Sequence, residues 1–293
     1  MKVFLKMKIY LITALSLVLL LTACQKKESA EILTTLFPHY DIAAQIAGDK
    51  LTVGLLAPLG SEVHGYEPTA KEIIAIKSAK LFIYTSPEMD PWVNNILDNQ
   101  VNALNLANSI TQLDDIHYWT DPIVFLLMIE EIKIAIIEID PDNADYYLNN
   151  ALSYSTKIET IHLELSNFLD NLSTPTIYFF GHNSMSLFAD RYHLNIVSIT
   201  DHFQPDAELT PKQLEEFINE LRMYETHYLF VEELIDTKHF NSIKTELEND
   251  NYQLTILELH GYHNISKDQY KKGVSYADLL EQNYENIKQA LNN

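Results

Sequence analysis

Eleven histidines are the residues of this chain best suited to chemistry, and four stretches place them where a ligand could be held. Neutral imidazole is a good donor for transition metals, Zn²⁺ above all. His64 lies in Gly60-Ser61-Glu62-Val63-His64-Gly65-Tyr66-Glu67-Pro68-Thr69, a loop between an apolar run and a helical one. His117 opens His117-Tyr118-Trp119-Thr120-Asp121-Pro122, just before a helical run. His182 lies in Phe180-Gly181-His182-Asn183-Ser184, at the end of an apolar strand-like run. His260 and His263 lie in Leu259-His260-Gly261-Tyr262-His263-Asn264, also after such a run. A lone histidine is more often packed or solvated than ligating. Four loops with the same placement point to one metal site. His39, His162, His193, His202, His227 and His239 lack that placement and read as packed or surface residues. Trp92 and Trp119 read as core or cleft wall.

Competing chemistries lack their parts. There is no His-Glu-x-x-His pair, no glycine-rich phosphate loop and no supported Ser/His/Asp set. A zinc hydrolase needs three protein ligands, an open water position and a nearby base. A net charge of −21 leaves no basic stripe for nucleic acid.

The elements that must position these loops alternate between strand and helix. Strands are expected at 32–37, 51–56 and 81–84, with helices at 40–47, 69–78 and 91–98. Thr69 is placed as a helix cap. After Pro175, strands are expected at 176–180, 194–199, 228–231 and 253–257, with helices at 184–192, 211–224 and 276–291. Thr210 caps the second of these helices. This alternation predicts an α/β fold with mainly parallel sheets, whose ligands gather beyond the carboxyl ends of the strands. Between the two series, 143–172 lacks Gly and Pro and repeats apolar residues at three- and four-residue steps. That is one long helix linking two lobes, 32–142 and 173–293. No internal sequence repeat is visible.

The amino-terminal end has a different character. Lys2, Lys6 and Lys8 precede the apolar run 9–21, which is short for a membrane span and typical of a signal peptide. Leu21-Thr22-Ala23-Cys24 resembles the bacterial lipobox, in which the cysteine is diacylated and becomes the mature terminus. Cys24 is the single cysteine, so no disulfide forms within the chain. Residues 25–31 read as a polar tether.

Taken together, these stretches resemble the solute-binding lipoproteins of zinc and manganese ABC importers across the whole mature chain. The resemblance rests on Ile46-Ala47-Gly48-Asp49-Lys50, His64 to Thr69, and Phe82-Ile83-Tyr84 leading to Met89-Asp90-Pro91-Trp92. It also rests on His117 to Pro122, Asp140-Pro141, Gly181-His182, Val231-Glu232-Glu233-Leu234 and the final helix. It implies that His64, His117 and His182 are metal ligands. Manganese members tend to carry a carboxylate at the position of His182, so histidine there implies zinc, with Mn²⁺ or Fe²⁺ as alternatives. The fourth ligand departs from relatives that use Asp or Glu. Counting back from Tyr276 favours His263, then His260, then Glu258. Glu62, Glu67 or Glu232 would supply compensating charge around four neutral rings. The His-rich loop of some zinc-specific relatives is absent.

The implied protein is a monomer held at the extracytoplasmic face of the cell membrane by lipid on Cys24. It would bind no nucleic acid, perform no catalysis, and deliver its ion to an importer permease and its ATPase. A surface adhesin of the same fold is the alternative.

Overall fold

The computed structural model describes residues 30–110, 115–182, 184–198, 210–235 and 237–292. The leader, Cys24 and His202 lie outside the described residues, as does the side chain of His239.

Two four-stranded sheets with every pairing parallel form the two lobes. The first contains β1 (Ile32–Thr34), β2 (Val53–Leu55), β3 (Leu81–Tyr84) and β4 (Ala103–Asn105), in the order β2-β1-β3-β4. The second contains β5 (Thr176–Phe180), β6 (Asn195–Ser198), β7 (Tyr228–Val231) and β8 (Thr255–Glu258), in the order β6-β5-β7-β8. The two orders are the same, although the sequences of the lobes show no repeat. β3 and most of β5 are apolar and buried, as expected of strands covered on both faces.

The helices of the first lobe are α1 (Phe37–Ala47), α2 (Ala70–Ser78), α3 (Val93–Ile96), α4 (Leu106–Ser109) and α5 (Pro122–Ile139). The long helix is α6 (Ala144–Leu169). The second lobe has α7 (Ser186–Tyr192), α8 (Pro211–Met223), α9 (Thr237–Asn249), α10 (Lys267–Lys272) and α11 (Tyr276–Leu291). Their starts are chemically marked. Thr69, Thr210, Ser266 and Ser275 each accept from the third helical N–H, and that residue's side chain bonds back to the cap's N–H. Pro38, Pro122 and Pro211 occupy first turns, where their missing N–H costs nothing.

The inner faces of both sheets join one continuous apolar core. It runs from Ile32 and Ile83 through Phe125, Ile132, Tyr147 and Ile158 to Ile177, Leu259 and Leu280. The outer face of the first sheet packs with Ile76, Trp92 and Val93. That of the second packs with Phe217, Leu221, Ile243 and Leu247. Helix α6 thus sits inside the shared core, in contact with α1, α5 and α11.

Several boundaries differ from expectation. The first strand stops at Thr34, because Pro38 starts α1 at Phe37, earlier than the expected Tyr40. The helix expected over 91–98 is a single turn, with Trp92 as its cap. The long helix ends at Leu169 rather than Leu172. β4 and helices α4, α9 and α10 were not anticipated; β4 is only three residues long.

Candidate metal centre

Five segments near the carboxyl ends of the two sheets converge between the lobes. The 14-residue connection from β2 to α2, Leu56–Thr69, carries His64. The segment entering α5 carries His117, immediately before a 3₁₀ turn at Tyr118–Thr120. In the second lobe, His182 lies two residues past β5, Glu232 and Glu233 directly follow β7, and β8 leads into the loop holding His260 and His263.

The structure brings together His64, His117, His182 and His263, with their candidate ligand atoms within 4.8 Å of one another. The six ring-centroid separations run from 4.9 to 5.6 Å. Six nearly equal distances among four points describe a tetrahedron. The Nε2 atoms of His64 and His117 stand 3.1 Å apart. Those of His182 and His263 are buried with no hydrogen-bond partner. Buried nitrogens without partners are costly in an apolar setting, and these two belong to rings gathered with two further imidazoles.

Each of the four rings has its Nδ1 against a carboxylate. His64 meets Glu62. His117 lies 3.1 Å from Asp115, whose other oxygen accepts from Ser186 of the second lobe. His182 lies 2.5 Å from Glu232 Oε1, an ion-pair contact short of a well-angled hydrogen bond, while Glu232 Oε2 accepts from the His182 N–H at 3.0 Å. His263 lies 3.1 Å from Glu233 Oε1, and Glu233 Oε2 accepts from the Gly261 N–H at 2.7 Å. A carboxylate on Nδ1 fixes the tautomer and aims Nε2 at the centre. Glu62 and Glu232 were singled out in the sequence; Glu67 is exposed. Asp115 and Glu233 were missed. Asp115 carries the same acid-x-His spacing as Glu62 and His64, which was a usable signal. Glu233 becomes a partner of His263 only through the order of the sheet.

The local fields differ from ring to ring. Burial pushes His263 down to about 4 against the pull of Glu233. Burial also lowers His117, against the pull of Asp115. Burial opposes charge on His182 too, but Glu232 outweighs it and holds that ring above its ordinary value. Glu62 and Asp115, despite partial burial, are each held down to about 2 by their histidines.

Trp119 is fully buried beneath the rings, edge-on to His117 and His263 at centroid distances of 5.6 and 5.4 Å. It forms the wall expected of it, whereas Trp92 packs in the outer cluster of the first lobe. A cavity of about 220 Å³ adjoins the site, lined by Ser61, Glu62, His182, Glu232, Glu233 and His263 among others. Of the alternatives for the fourth position, His260 turns into the core and Glu258 is a half-buried strand residue whose carbonyl accepts from Asn286. Neither joins the cluster. His39 is packed and uncharged, with burial pushing it down to about 3. His162, on α6, bonds Tyr192 of the second lobe at 2.9 Å.

Cross-lobe bonds surround the site. Arg191 clasps Asp121 through three bonds of 2.7–3.1 Å. Trp119 Nε1 donates to the Gly261 carbonyl at 2.9 Å. Asn264 donates to the carbonyls of Pro58 and Ser61 at 2.7 and 2.9 Å.

This arrangement can hold one small cation among four neutral nitrogens. The comparisons with known proteins agree in kind. The family model described as "Zinc-uptake complex component A periplasmic" matches residues 32–290. The high-affinity zinc uptake system protein ZnuA of Bacillus subtilis is 26% identical over 294 residues, covering 92% of this chain and 90% of that one. The zinc-binding lipoprotein AdcA of Streptococcus pneumoniae is also 26% identical, covering 96% of this chain but 60% of that protein. The crystal structure of the Zn(II)-bound ZnuA-like domain of that AdcA superposes with a TM-score of 0.78 at 25% identity, covering 91% of this chain and 100% of the domain. With its two parallel-sheet lobes and a match across nearly the whole described fold, the chain belongs to the family of periplasmic zinc-uptake complex component A proteins.

Proposed function

We propose that this protein captures Zn²⁺ outside the cytoplasm, with His64, His117, His182 and His263 as its four ligands, and delivers it to an ABC importer. The observation that carries the reading is the spacing of the rings. A tetrahedral Zn²⁺ with Zn–N of about 2.0–2.1 Å, and ring centroids roughly 1.1 Å beyond each nitrogen, sets centroids about 5.2 Å apart. The measured separations, 4.9–5.6 Å, straddle that value. Four nitrogen donors favour zinc over manganese, which prefers oxygen. A relative named manganese-binding lipoprotein MntA, from Halalkalibacterium halodurans, is 25% identical over 236 residues. The donor set here argues for zinc nonetheless. Four protein ligands also fill a tetrahedron and leave no water position for hydrolysis, which supports transport over catalysis.

In this reading, residues 32–142 and 173–293 act as lobes about the 143–172 segment, which contains α6, and the ion bridges them. The shared core and the cross-lobe bonds restrict opening to a small motion. Contact with the permease separates the lobes and releases the ion, and the partner ATPase drives the cycle. The protein works as a monomer. Cys24 carries the lipid that holds it at the outer face of the membrane, a reading supported by the lipobox sequence and by the relatives named lipoproteins. No described helix is long and apolar enough to cross a membrane.

The test is metal analysis with competition titration. The expected result is one Zn²⁺ per chain, a melting temperature raised more by zinc than by manganese, and affinity lowered by orders of magnitude in His117→Ala. Unchanged affinity in that variant would remove the site.

A further inference from the structure

The loop after β8 offers two imidazoles three residues apart, and both lie close to the same carboxylate. Glu233 Oε1 is 3.1 Å from His263 Nδ1 and 3.7 Å from His260 Nδ1. Only one of these rings reaches the other three histidines. We propose that Glu233 is the positioning residue that makes His263, and not His260, the fourth donor; the proposal rests on the four-histidine reading above.

The argument begins with what His260 is already doing. Its N–H donates to Asn283 Oδ1 at 2.8 Å, and its carbonyl accepts from Asn283 Nδ2 at 2.9 Å. One side chain of α11 therefore holds both backbone groups of His260. The lone pair on His260 Nδ1 accepts from the Tyr262 N–H at 2.9 Å. That nitrogen carries no proton for Glu233. Two acceptors facing each other gain nothing, so Glu233 has no bond to offer the His260 ring.

The chain then reverses. Tyr262 adopts a left-handed backbone, φ +64°, and its ring is fully buried against Tyr276 with centroids 4.2 Å apart. The reversal folds the His263 ring back over Gly261. A Cβ on Gly261 would lie 2.8 Å from His263 Cε1 and 2.9 Å from its Nδ1, so only glycine leaves the ring this space. Glu233 closes the fold with both oxygens, taking the Gly261 N–H and the His263 Nδ1–H. It is 8% exposed, so water does not substitute for these bonds. The two bonds set the backbone and the ring together, and the second leaves His263 Nε2 facing the other imidazoles.

Zinc affinity by chelator competition and the visible spectrum of the Co²⁺ form test this in the full mature chain. The set is wild type, Glu233→Gln, His263→Ala and their double variant, with His260→Ala as control. Glu233→Gln keeps the shape of the side chain, and melting of the metal-free protein checks its fold. Gly261→Ala displaces the His263 ring without touching Glu233. The expected loss in Glu233→Gln is roughly 10–100-fold. His263→Ala loses more, and the double variant is no worse than His263→Ala alone, because Glu233 acts through that ring. The tetrahedral Co²⁺ absorption falls in Glu233→Gln and Gly261→Ala in the same way as in His263→Ala, while His260→Ala keeps the wild-type affinity and spectrum. Additive losses in the double variant would overturn the proposal, as would a wild-type Co²⁺ spectrum in Glu233→Gln. If His260→Ala abolishes the tetrahedral spectrum and His263→Ala does not, the choice of residue is wrong while the site stands. If neither these variants nor His64→Ala and His117→Ala alter binding, the four-histidine reading itself falls.

Discussion

In the first lobe, the carboxylate against each imidazole sits two residues before it in the same loop: Glu62 before His64, and Asp115 before His117. In the second lobe the carboxylates come from another strand. β7 lies between β5 and β8, and its end supplies two consecutive glutamates. Both lie just past the last strand residue, Val231. Glu232 serves His182 beyond β5, and Glu233 serves His263 beyond β8. The first lobe therefore solves the problem by local chain geometry, the second by sheet topology. Burial follows the same division. The side chains of His64 and Glu62 are 31% and 34% exposed, whereas those of His263 and Glu233 are 7% and 5% exposed. Asp115 is intermediate, and its bond to Ser186 ties His117 to the second lobe. Three rings are thus held from the second lobe, and His64 alone depends on an exposed loop.

The largest effect that could break this comparison is loss of an imidazole. His182→Ala is expected to lower zinc affinity by orders of magnitude and to leave Glu232 buried beside a void. His64→Ala is expected to cost less, because water can reach that exposed position and complete a three-histidine site. Equal losses in the two variants, read by competition titration, would show that the lobes do not differ as donors.

A smaller effect separates charge from geometry. Glu232→Gln is expected to weaken zinc roughly 10–100-fold near neutral pH. It should also change the pH dependence. Zinc must displace any proton on His182, and Glu232 holds that ring above its ordinary value against the opposing effect of burial. In the wild type, affinity therefore starts to fall, as pH decreases, above the ordinary imidazole range. Without the Glu232 charge, burial governs the ring and lowers its pKa, so the fall begins at lower pH. Affinity profiles of wild type and variant with the same onset would refute the role given to Glu232.

These contrasts also explain what could be read from the sequence. The α/β alternation, the long helix and caps such as Thr69 and Thr210 are local patterns, and they appear near their expected places. The gathering of His64, His117, His182 and His263 follows from strand-end placement, aided by family resemblance. β4, with three residues and little periodicity, offers no signal of that kind. The Ser266 cap with Gln269 three residues on was legible but unread, so α10 was missed. Asp115 could have been found by analogy with Glu62. Glu233 could not, because its partner is 30 residues away and the pairing depends on β7 lying beside β8. The choice between His260 and His263 is of the same type. It depends on Asn283, on the backbone of Tyr262 and on the space over Gly261.

The smallest effect tests the exposed end of the comparison. Glu62 Oε1 contacts His64 Nδ1 and also accepts from the N–H groups of Val63 and His64, at 2.7 and 2.9 Å. It therefore shapes its own loop as much as it orients the ring. Glutamine keeps an acceptor oxygen for those N–H groups, and water competes for the rest. Exposed ion pairs contribute about 0–1 kcal/mol, so Glu62→Gln is expected to reduce zinc affinity by less than about fivefold. The matching substitution at Glu232 costs more because no water replaces a lost charge there. A loss at Glu62 as large as that at Glu232 would mean that the His64 loop is closed and dry when the ion is bound. The first lobe would then hold its ligand as firmly as the second, by a local carboxylate that excludes water only in the loaded state.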